Sequence, residues 1–193
     1  AAVICIADPL RKEAKSAIEA LHACGISKVV MMTGDNRKTA QAVAREVGVD
    51  QFFAEVLPED KANFVRQEKA AGRKVIMIGD GVNDTPALSE ADVGIAINTG
   101  AAIAREIADV TIASEDLFEL VTLRQLSQQL MRRIHRNYRF IVSFNCMLIA
   151  LGVAGVIQPT TSALLHNAST LGISLDSMTD LLKKEQPSEK QDV

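Results

Sequence analysis

The segment Val75–Leu88 carries two carboxylates and an amide directly after an apolar run. Asp80 and Asp84 offer hard oxygen ligands of the kind that Mg²⁺ prefers, and Mg²⁺ shares its coordination shell with water and phosphate oxygens. Asn83 can offer a neutral hydrogen bond beside them. The residue types and their spacing therefore predict a site for magnesium and phosphate.

The residues around this motif predict where it lies in a fold. Val75–Ile78 is an unbroken apolar run, typical of a parallel strand covered on both faces, and Gly79 and Gly81 allow a sharp turn at its carboxyl end. Open α/β sheets bind ligands at that edge. A dinucleotide site needs a third glycine where this chain has Asp84, so the pattern favours a metal site instead.

A second loop is predicted to reach the same sheet edge. Thr33-Gly34-Asp35 follows the apolar run Val29–Met32. A phosphoryl group there would accept hydrogen bonds from the Thr33 side chain and from backbone N–H groups at the start of the next helix. Lys61, in the first turn of another predicted helix, can add a positive charge. Taken singly, Thr-Gly-Asp is a common turn and Lys61 an ordinary surface lysine, and both alternatives stay open.

Short apolar runs alternate with amphipathic helical stretches from Val3 to about Ile112. This alternation predicts an α/β fold with a parallel, Rossmann-like sheet flanked by helices. The predicted strands are Val3–Ile6, Val29–Met32, Phe52–Ala54, Val75–Ile78, Val93–Ile97 and Val110–Ile112. The predicted helices are Arg11–Cys24, one that begins near Asn36, Pro58–Ala71 and one that begins near Asn83.

The overall composition excludes several classes of protein. A length of 193 residues permits one domain with a sizeable core and a smaller appendage. The net charge is −3 and no basic stripe with interleaved aromatic residues occurs, so no nucleic-acid partner is predicted. Cys5, Cys24 and Cys146 are odd in number and widely spaced, which favours a reducing compartment. The amino terminus lacks the order of a signal peptide.

The sequence changes character after Ser114, where one long helical pattern leads into a cluster of arginines. Tyr138–Ile157 is roughly 20 mostly apolar residues, the length of a membrane-spanning helix. Thr160–Leu182 is about as long but carries polar side chains, so it cannot face lipid all round. Arginines before the first span and lysines after the second place both chain ends on the cytoplasmic side.

Polar side chains within the two predicted spans are candidates for a cation path. His166, Thr170 and Ser174 recur every four residues and therefore share one helix face. Ionisable groups inside a membrane usually face a bundle interior or a pathway. The candidate path residues are Asn145, His166, Asn167, Thr170 and Asp176. The alternative is packing, because Ser, Thr and Asn side chains also hydrogen-bond between membrane helices.

These residue types leave the identity of the ion open. Imidazole suits Zn²⁺, Co²⁺, Ni²⁺ or copper, whereas carboxylate and amide oxygens favour harder divalent ions. Cys146 and Met147 are candidate soft ligands, although such residues more often simply pack.

Four segments together resemble the phosphorylation domain of P-type cation ATPases, which belongs to the haloacid dehalogenase superfamily. The segments are Thr33-Gly-Asp-Asn36, Pro58-Glu-Asp-Lys61, Met77–Leu88 and Ala91-Asp-Val-Gly-Ile-Ala96. The resemblance covers nearly the whole chain. The two hydrophobic spans resemble the last two membrane helices of the heavy-metal branch, with Phe144-Asn145 where a Tyr-Asn pair is often found.

The resemblance implies roles for individual residues. Thr33 and Lys61 would contact an aspartyl phosphate, Asp80 would bind Mg²⁺, and Asn83 and Asp84 would order the loop around them. The implied cofactors are Mg²⁺ and ATP, the latter bound mainly by a domain outside this chain. The implied partners are a transition-metal cation, the lipid bilayer and the amino-terminal part of the pump, in the cell membrane with several membrane passes.

The resemblance also implies an organisation in four parts. Residues 1–122 would be an incomplete phosphorylation domain of the dehalogenase type, and residues 123–137 a basic helical connector. Residues 138–182 would be two transmembrane helices, followed by a polar tail over residues 183–193.

One motif of that family is absent from the sequence. The nucleophilic aspartate lies in an Asp-Lys-Thr-Gly-Thr motif, and the 193 residues contain no such string. Covalent phosphoryl transfer needs the attacking carboxylate. The chain is therefore predicted to be the carboxyl-terminal part of a pump that does not hydrolyse ATP alone.

Two other interpretations stay open at this point. One is a soluble phosphatase or phosphomutase of the dehalogenase superfamily, for which Asp8 is the candidate nucleophile. The other is a noncatalytic module that binds Mg²⁺ or partner helices without turnover.

Overall fold

The computed structural model describes residues 10–79, 82–97, 106–113 and 116–182. The chain divides into two compact units, Ala1–Thr122 and Leu123–Val193. The strands are β1 (Val30–Met32), β2 (Gln51–Phe53), β3 (Ile76–Gly79), β4 (Val93–Ile97) and β5 (Val110–Ile112). The helices are α1 (Ala14–Ala23), α2 (Arg37–Val47), α3 (Pro58–Ala70), α4 (Thr85–Glu90), α5 (Phe118–Val153) and α6 (Pro159–Ser177), and a short 3₁₀ helix covers Val82–Asp84.

The first unit contains two parallel sheets whose strands alternate with helices. β1 pairs with β2, and β3, β4 and β5 lie side by side in that order. The predicted strands Val93–Ile97 and Val110–Ile112 are confirmed at their predicted bounds, and β1, β2 and β3 lie within one residue of theirs. The predicted strand Val3–Ile6 lies outside the described residues. The prediction of an α/β fold with parallel strands flanked by helices is confirmed.

Local signals in the sequence explain where the helices begin and end. Asn36 caps α2, because its side-chain oxygen accepts a hydrogen bond from the Thr39 backbone N–H at 3.0 Å. Gly48 ends the same helix in the left-handed conformation, with φ of 80°. Pro58 occupies the first turn of α3, where its missing N–H costs nothing. These signals start α2 directly after the Thr33-Gly34-Asp35 loop and place Lys61 in the first turn of α3.

A small apolar core fixes α3 and α4 against the three-stranded sheet. Its side chains come from two helices and two strands, and Val65 and Ala87 are fully buried. The members are Ala62, Val65, Met77, Ala87, Leu88 and Ala96. Close packing of this kind resists compression, so it holds the first turns of α3 and α4 in place against the sheet.

Three aspartates bind backbone N–H groups at the amino ends of the parallel strands. Asp50 accepts from Val29 N at 2.6 Å. In the same way Asp92 accepts from Val75 N at 3.0 Å, and Asp109 accepts from Gly94 N at 2.8 Å. Each aspartate directly precedes one strand, and its backbone partner lies at the amino end of the neighbouring strand or directly before it. We call this set the amino-edge aspartates.

Asp92 of this set also forms an ion pair with a lysine. The Lys74 ammonium donates to Asp92 Oδ1 at 2.8 Å. This hydrogen bond and the one from Val75 N hold the pKa of the Asp92 carboxyl below its usual value. The same contact raises the pKa of Lys74.

The second unit contains most of α5 and all of α6, joined by a turn in which Gly155 has a φ of 72°. The predicted transmembrane helices Tyr138–Ile157 and Thr160–Leu182 are not supported. Within the ranges that the structure describes, no helix combines the length and apolar character needed to cross a membrane. α5 ends at Val153, before the predicted apolar run is complete, and α6 ends at Ser177.

Candidate functional site

An ion pair joins two of the predicted motifs in the first unit. Lys61 Nζ lies 2.7 Å from Asp84 Oδ1. Both side chains are largely shielded from solvent, with exposed fractions of 16% and 12%. Lys61 is in the first turn of α3, and Asp84 ends the 3₁₀ helix that follows β3. The fold therefore brings together two charged residues that are 23 positions apart in the sequence.

Gly79 explains how Asp84 packs against the end of β3. A Cβ atom at Gly79 would lie 2.5 Å from Asp84 Cβ and 2.9 Å from its Oδ2. A Cβ atom essentially never lies this close to an atom to which it is not bonded, so the position accepts only glycine while Asp84 stays in place. The sequence predicted a turn at Gly79, whereas the structure gives it a packing role.

The Thr33-Gly34-Asp35 loop is held by backbone hydrogen bonds to the segment after β2. Thr33 N donates to Phe53 O at 3.0 Å, and Glu55 N donates to Asp35 O at 2.9 Å. Glu55 has a φ of 57°, a left-handed conformation that is uncommon for residues other than glycine. The loop therefore continues the pairing of β1 with β2 beyond the strand ends.

The hydroxyl of Thr33 is hydrogen-bonded within its own loop. It donates to Asp35 Oδ2 at 2.9 Å and accepts from Asp35 N at 3.1 Å. Because a hydroxyl has one hydrogen, Thr33 must turn away from the Asp35 carboxylate before it can donate to a phosphoryl oxygen.

The predicted magnesium ligands are only partly described. Asp80 and Gly81 lie outside the described residues, and Asn83 is exposed. In the part of the chain that the structure describes, no group of three or more His, Cys, Asp or Glu side chains could hold a metal ion. Asp84 is therefore the predicted ligand that can be placed, and one of its oxygens accepts from Lys61.

Sequence reasoning gave no role to Thr85. Its hydroxyl oxygen is buried and has no hydrogen-bond partner among the described residues. Thr85 directly follows Asp84 and begins α4. Buried polar groups are rarely unpaired, and this hydroxyl lies one residue from Asp84, so Thr85 is a candidate for a further site residue. A threonine directly before Pro86 at a helix start was the available signal.

In the second unit, the structure pairs two of the predicted path residues with each other. His166 Nδ1 lies 2.8 Å from Asn145 Oδ1. Asp176 instead contacts Arg136, with 2.6 Å between Oδ2 and the guanidinium. The Thr170 hydroxyl donates to the His166 carbonyl at 3.0 Å, a bond within α6 that agrees with the packing alternative. Asn167 is exposed.

The chain resembles known proteins in sequence and in structure. A family model described as haloacid dehalogenase-like hydrolase matches residues 1–92. Copper-transporting ATPase 1 of Rhizobium meliloti (strain 1021) is 47% identical over 165 residues, which are 86% of this chain and 20% of the relative. The manganese-exporting P-type ATPase of Mycobacterium leprae (strain TN) is 41% identical over 176 residues, 91% of this chain and 24% of the relative.

A solved structure is similar over most of the chain. The crystal structure of a zinc-transporting PIB-type ATPase in the E2.Pi state matches with a TM-score of 0.84 and 32% identity, over 91% of this chain and 28% of that one. The chain thus spans between a fifth and a quarter of the length of the two curated relatives named above. It contains a haloacid dehalogenase-like hydrolase domain, and its homologues include heavy-metal P-type ATPases.

Proposed function

We propose that the chain supplies the magnesium and phosphate site, together with the terminal helical hairpin, of an ATP-driven heavy-metal pump. The observation that carries this proposal is the Lys61–Asp84 ion pair, which joins the helix after β2 to the loop after β3. Ligands in open α/β sheets bind at this carboxyl edge. The homology to metal-transporting P-type ATPases supports the same assignment.

The charges at this edge suit a phosphoryl group. Lys61 is shielded from solvent, so its ammonium interacts more strongly with an anion than a fully hydrated lysine would. Asp84 holds the ammonium at 2.7 Å and so limits the positions that the flexible lysine side chain can take. The proposed role of Lys61 is to neutralise charge on the phosphoryl oxygens, and Asp84 positions it.

The donor chemistry of the edge fits Mg²⁺. Mg²⁺ is usually held by one or two carboxylates and completes its shell with phosphate oxygens and water. Asp84 is one such carboxylate, and Asp80 is proposed as the other. When bound, the ion would neutralise negative charge that develops on the transferring phosphoryl group.

The Thr33 loop is proposed to close around the other side of the phosphoryl group. Thr33 would give its hydroxyl hydrogen to a phosphoryl oxygen instead of to Asp35, and Gly34 would allow close approach of the backbone. Asn83 is exposed beside Asp84 and can donate through its side-chain amide. Asp35 then serves to hold Thr33 until the phosphoryl group arrives.

The attacking carboxylate is proposed to come from the remaining part of the pump. The chain contains no Asp-Lys-Thr-Gly-Thr string. Without this nucleophile, positioning and electrostatics alone do not form the covalent intermediate. We therefore expect no ATP hydrolysis by the 193 residues alone, and the proposed partners are the rest of the pump and, through it, the lipid bilayer.

In the second unit, His166 and Asn145 are proposed to contact the transported cation. Imidazole is a common ligand of transition metals, and the relatives named above transport copper, manganese and zinc. Asn167, Thr170 and Asp176 are proposed to border the same path. The ion that this chain handles is not assigned.

Calorimetric titration of the 193-residue chain with inorganic phosphate, with and without Mg²⁺, tests the proposed site. We expect Mg²⁺-dependent binding that Lys61→Met abolishes. Lys74→Met is the matched control, because it removes an equal charge that contacts an amino-edge aspartate. Phosphate binding that is equal in both variants would contradict the proposal.

A further inference from the structure

Arg133 of α5 makes one hydrogen bond to the last residue of α6 and three to the residues that follow it. Its Nη1 donates to Ser177 O at 3.1 Å and to Thr179 O at 2.7 Å. Its Nη2 donates to Thr179 Oγ1 at 3.1 Å and to Asp180 O at 3.2 Å. The last carbonyls of a helix lack partners within the helix and carry partial negative charge. The planar guanidinium of Arg133 therefore binds the last carbonyl of α6, at Ser177, together with the turn that follows it, in one orientation.

Two neighbours of Arg133 contact the same end of α6. Asn137 Nδ2 donates to Ser177 Oγ at 3.1 Å, and Arg136 pairs with Asp176. The Arg136–Asp176 pair is exposed, so its contribution to stability is small. The pair matters instead for alignment, because it specifies which turn of α5 faces which turn of α6.

The contact between Asn145 and His166 fits the same alignment of the two helices. Twelve positions separate Arg133 from Asn145 on α5, and eleven separate His166 from Ser177 on α6. At a rise of about 1.5 Å per residue, these intervals span nearly equal lengths, about 18 and 17 Å. One antiparallel packing therefore forms all of these contacts together. A slip by one helical turn, about 5 Å, would separate Asn145 from His166.

The hydrogen bond at His166 has a chemical consequence. With Asn145 Oδ1 as the acceptor of the 2.8 Å contact, the hydrogen is assigned to His166 Nδ1. In the neutral ring the lone pair then lies on Nε2, the nitrogen that can bind a metal ion. A partner on the other ring nitrogen commonly fixes both the tautomer and the orientation of a metal-binding histidine.

We infer that Arg133 is a positioning residue that fixes the register of α5 against α6. This register keeps Asn145 Oδ1 within hydrogen-bond distance of His166 Nδ1. The link to cation binding rests on the proposed function, but the register itself does not. Arg133 acts from a distance along the helix and touches neither His166 nor, on the proposed path, the cation.

Nitrogen-15 NMR of the histidine side chains in the labelled 193-residue chain tests this inference, with His166→Gln used to assign the signal. Asn145→Ala removes the acceptor and is expected to change the tautomer ratio of His166 by about fivefold, as for the loss of one hydrogen bond. Arg133→Ala should change the ratio in the same direction. Arg132→Ala, which removes an equal charge from the adjacent position of α5, should leave it unchanged.

An unchanged His166 tautomer ratio in Arg133→Ala, together with a change in Asn145→Ala, would overturn the inference. If circular dichroism shows that Arg133→Ala has lost helix, Arg133→Lys replaces it. Lysine keeps the charge but lacks the fork of the guanidinium, so a smaller change is expected, and no change would overturn the inference. Titration with Zn²⁺ separates the two proposals, since an unresponsive Nε2 would refute cation contact at His166 and leave the role of Arg133 intact.

Discussion

The two edges of the sheets in the first unit use aspartate in different ways. At the amino edge, Asp50, Asp92 and Asp109 each accept from a backbone N–H of the neighbouring strand. At the carboxyl edge, Asp84 binds the Lys61 ammonium and Asp35 binds the Thr33 hydroxyl. A backbone N–H cannot leave its strand, whereas an ammonium or a hydroxyl can change partner. The amino edge therefore fixes strands, and the carboxyl edge holds groups that can turn to a ligand.

The largest expected effect comes from breaking the Lys61–Asp84 pair. Lys61→Met leaves the shielded Asp84 carboxylate unpaired, which should lower the free energy of unfolding by about 3 kcal/mol. Urea denaturation monitored by circular dichroism measures this change. The double variant Lys61→Met, Asp84→Asn removes the unpaired charge and should regain part of the stability but not phosphate binding. A single variant as stable as the unaltered chain would show that the pair does not link the two motifs.

The next largest effect is expected at Gly79. Gly79→Ala places a Cβ 2.5 Å from Asp84 Cβ, so Asp84 must move, at a cost of about 2 kcal/mol of unfolding free energy. Gly34→Ala is the control at the same edge, because its Cβ would lie an ordinary 4.0 Å from Val56 O. Thermal denaturation compares the stability of the two variants. An equal loss of stability in both would mean that Gly79 is not specifically required beside Asp84.

A smaller effect, dependent on pH, is expected at the amino edge. The pKa of Asp92 is lowered in the folded protein, so this carboxylate stabilises the fold above its unfolded pKa of about 4. That stability is lost as the pH falls through the folded pKa. The difference in stability between the unaltered chain and Asp92→Asn should therefore be present at neutral pH and shrink below about pH 4.

Urea denaturation at several pH values measures this difference in stability. Titration with inorganic phosphate at neutral pH then tests whether the amino edge takes part in phosphate binding. Asp92→Asn should leave phosphate binding unchanged, because Asp92 contacts Lys74 and Val75 N. It has no hydrogen bond to the Thr33 loop or to the described part of the loop after β3. A loss of phosphate binding in Asp92→Asn would remove the distinction between the two edges.

The sequence predicted the elements that local signals determine. β4 and β5 have their predicted bounds because each is a short segment rich in valine and isoleucine that begins directly after an aspartate. Asn36 and Pro58 mark the starts of α2 and α3 through their own backbone chemistry. These signals act within a few residues, so they can be read without the fold.

Contacts between distant residues were not predictable in the same way. Nothing in the local sequence indicates that Lys61 contacts Asp84 or that Gly79 makes room for it. The predicted membrane spans are not supported, because no helix among the described residues is both long and apolar enough to cross a membrane, and α5 ends at Val153 before the turn at Gly155. An apolar run gives the length of a segment but not the length of its helix.

Manganese, a paramagnetic substitute for Mg²⁺, tests the central claim most directly. Backbone amide signals are recorded by NMR while Mn²⁺ and inorganic phosphate are added to the labelled chain. We expect the signals of Asp84 and Thr33 to broaden first and those of the amino-edge aspartates to stay sharp. Broadening first at Asp50, Asp92 or Asp109, or none at Asp84, would contradict a metal and phosphate site at the carboxyl edge.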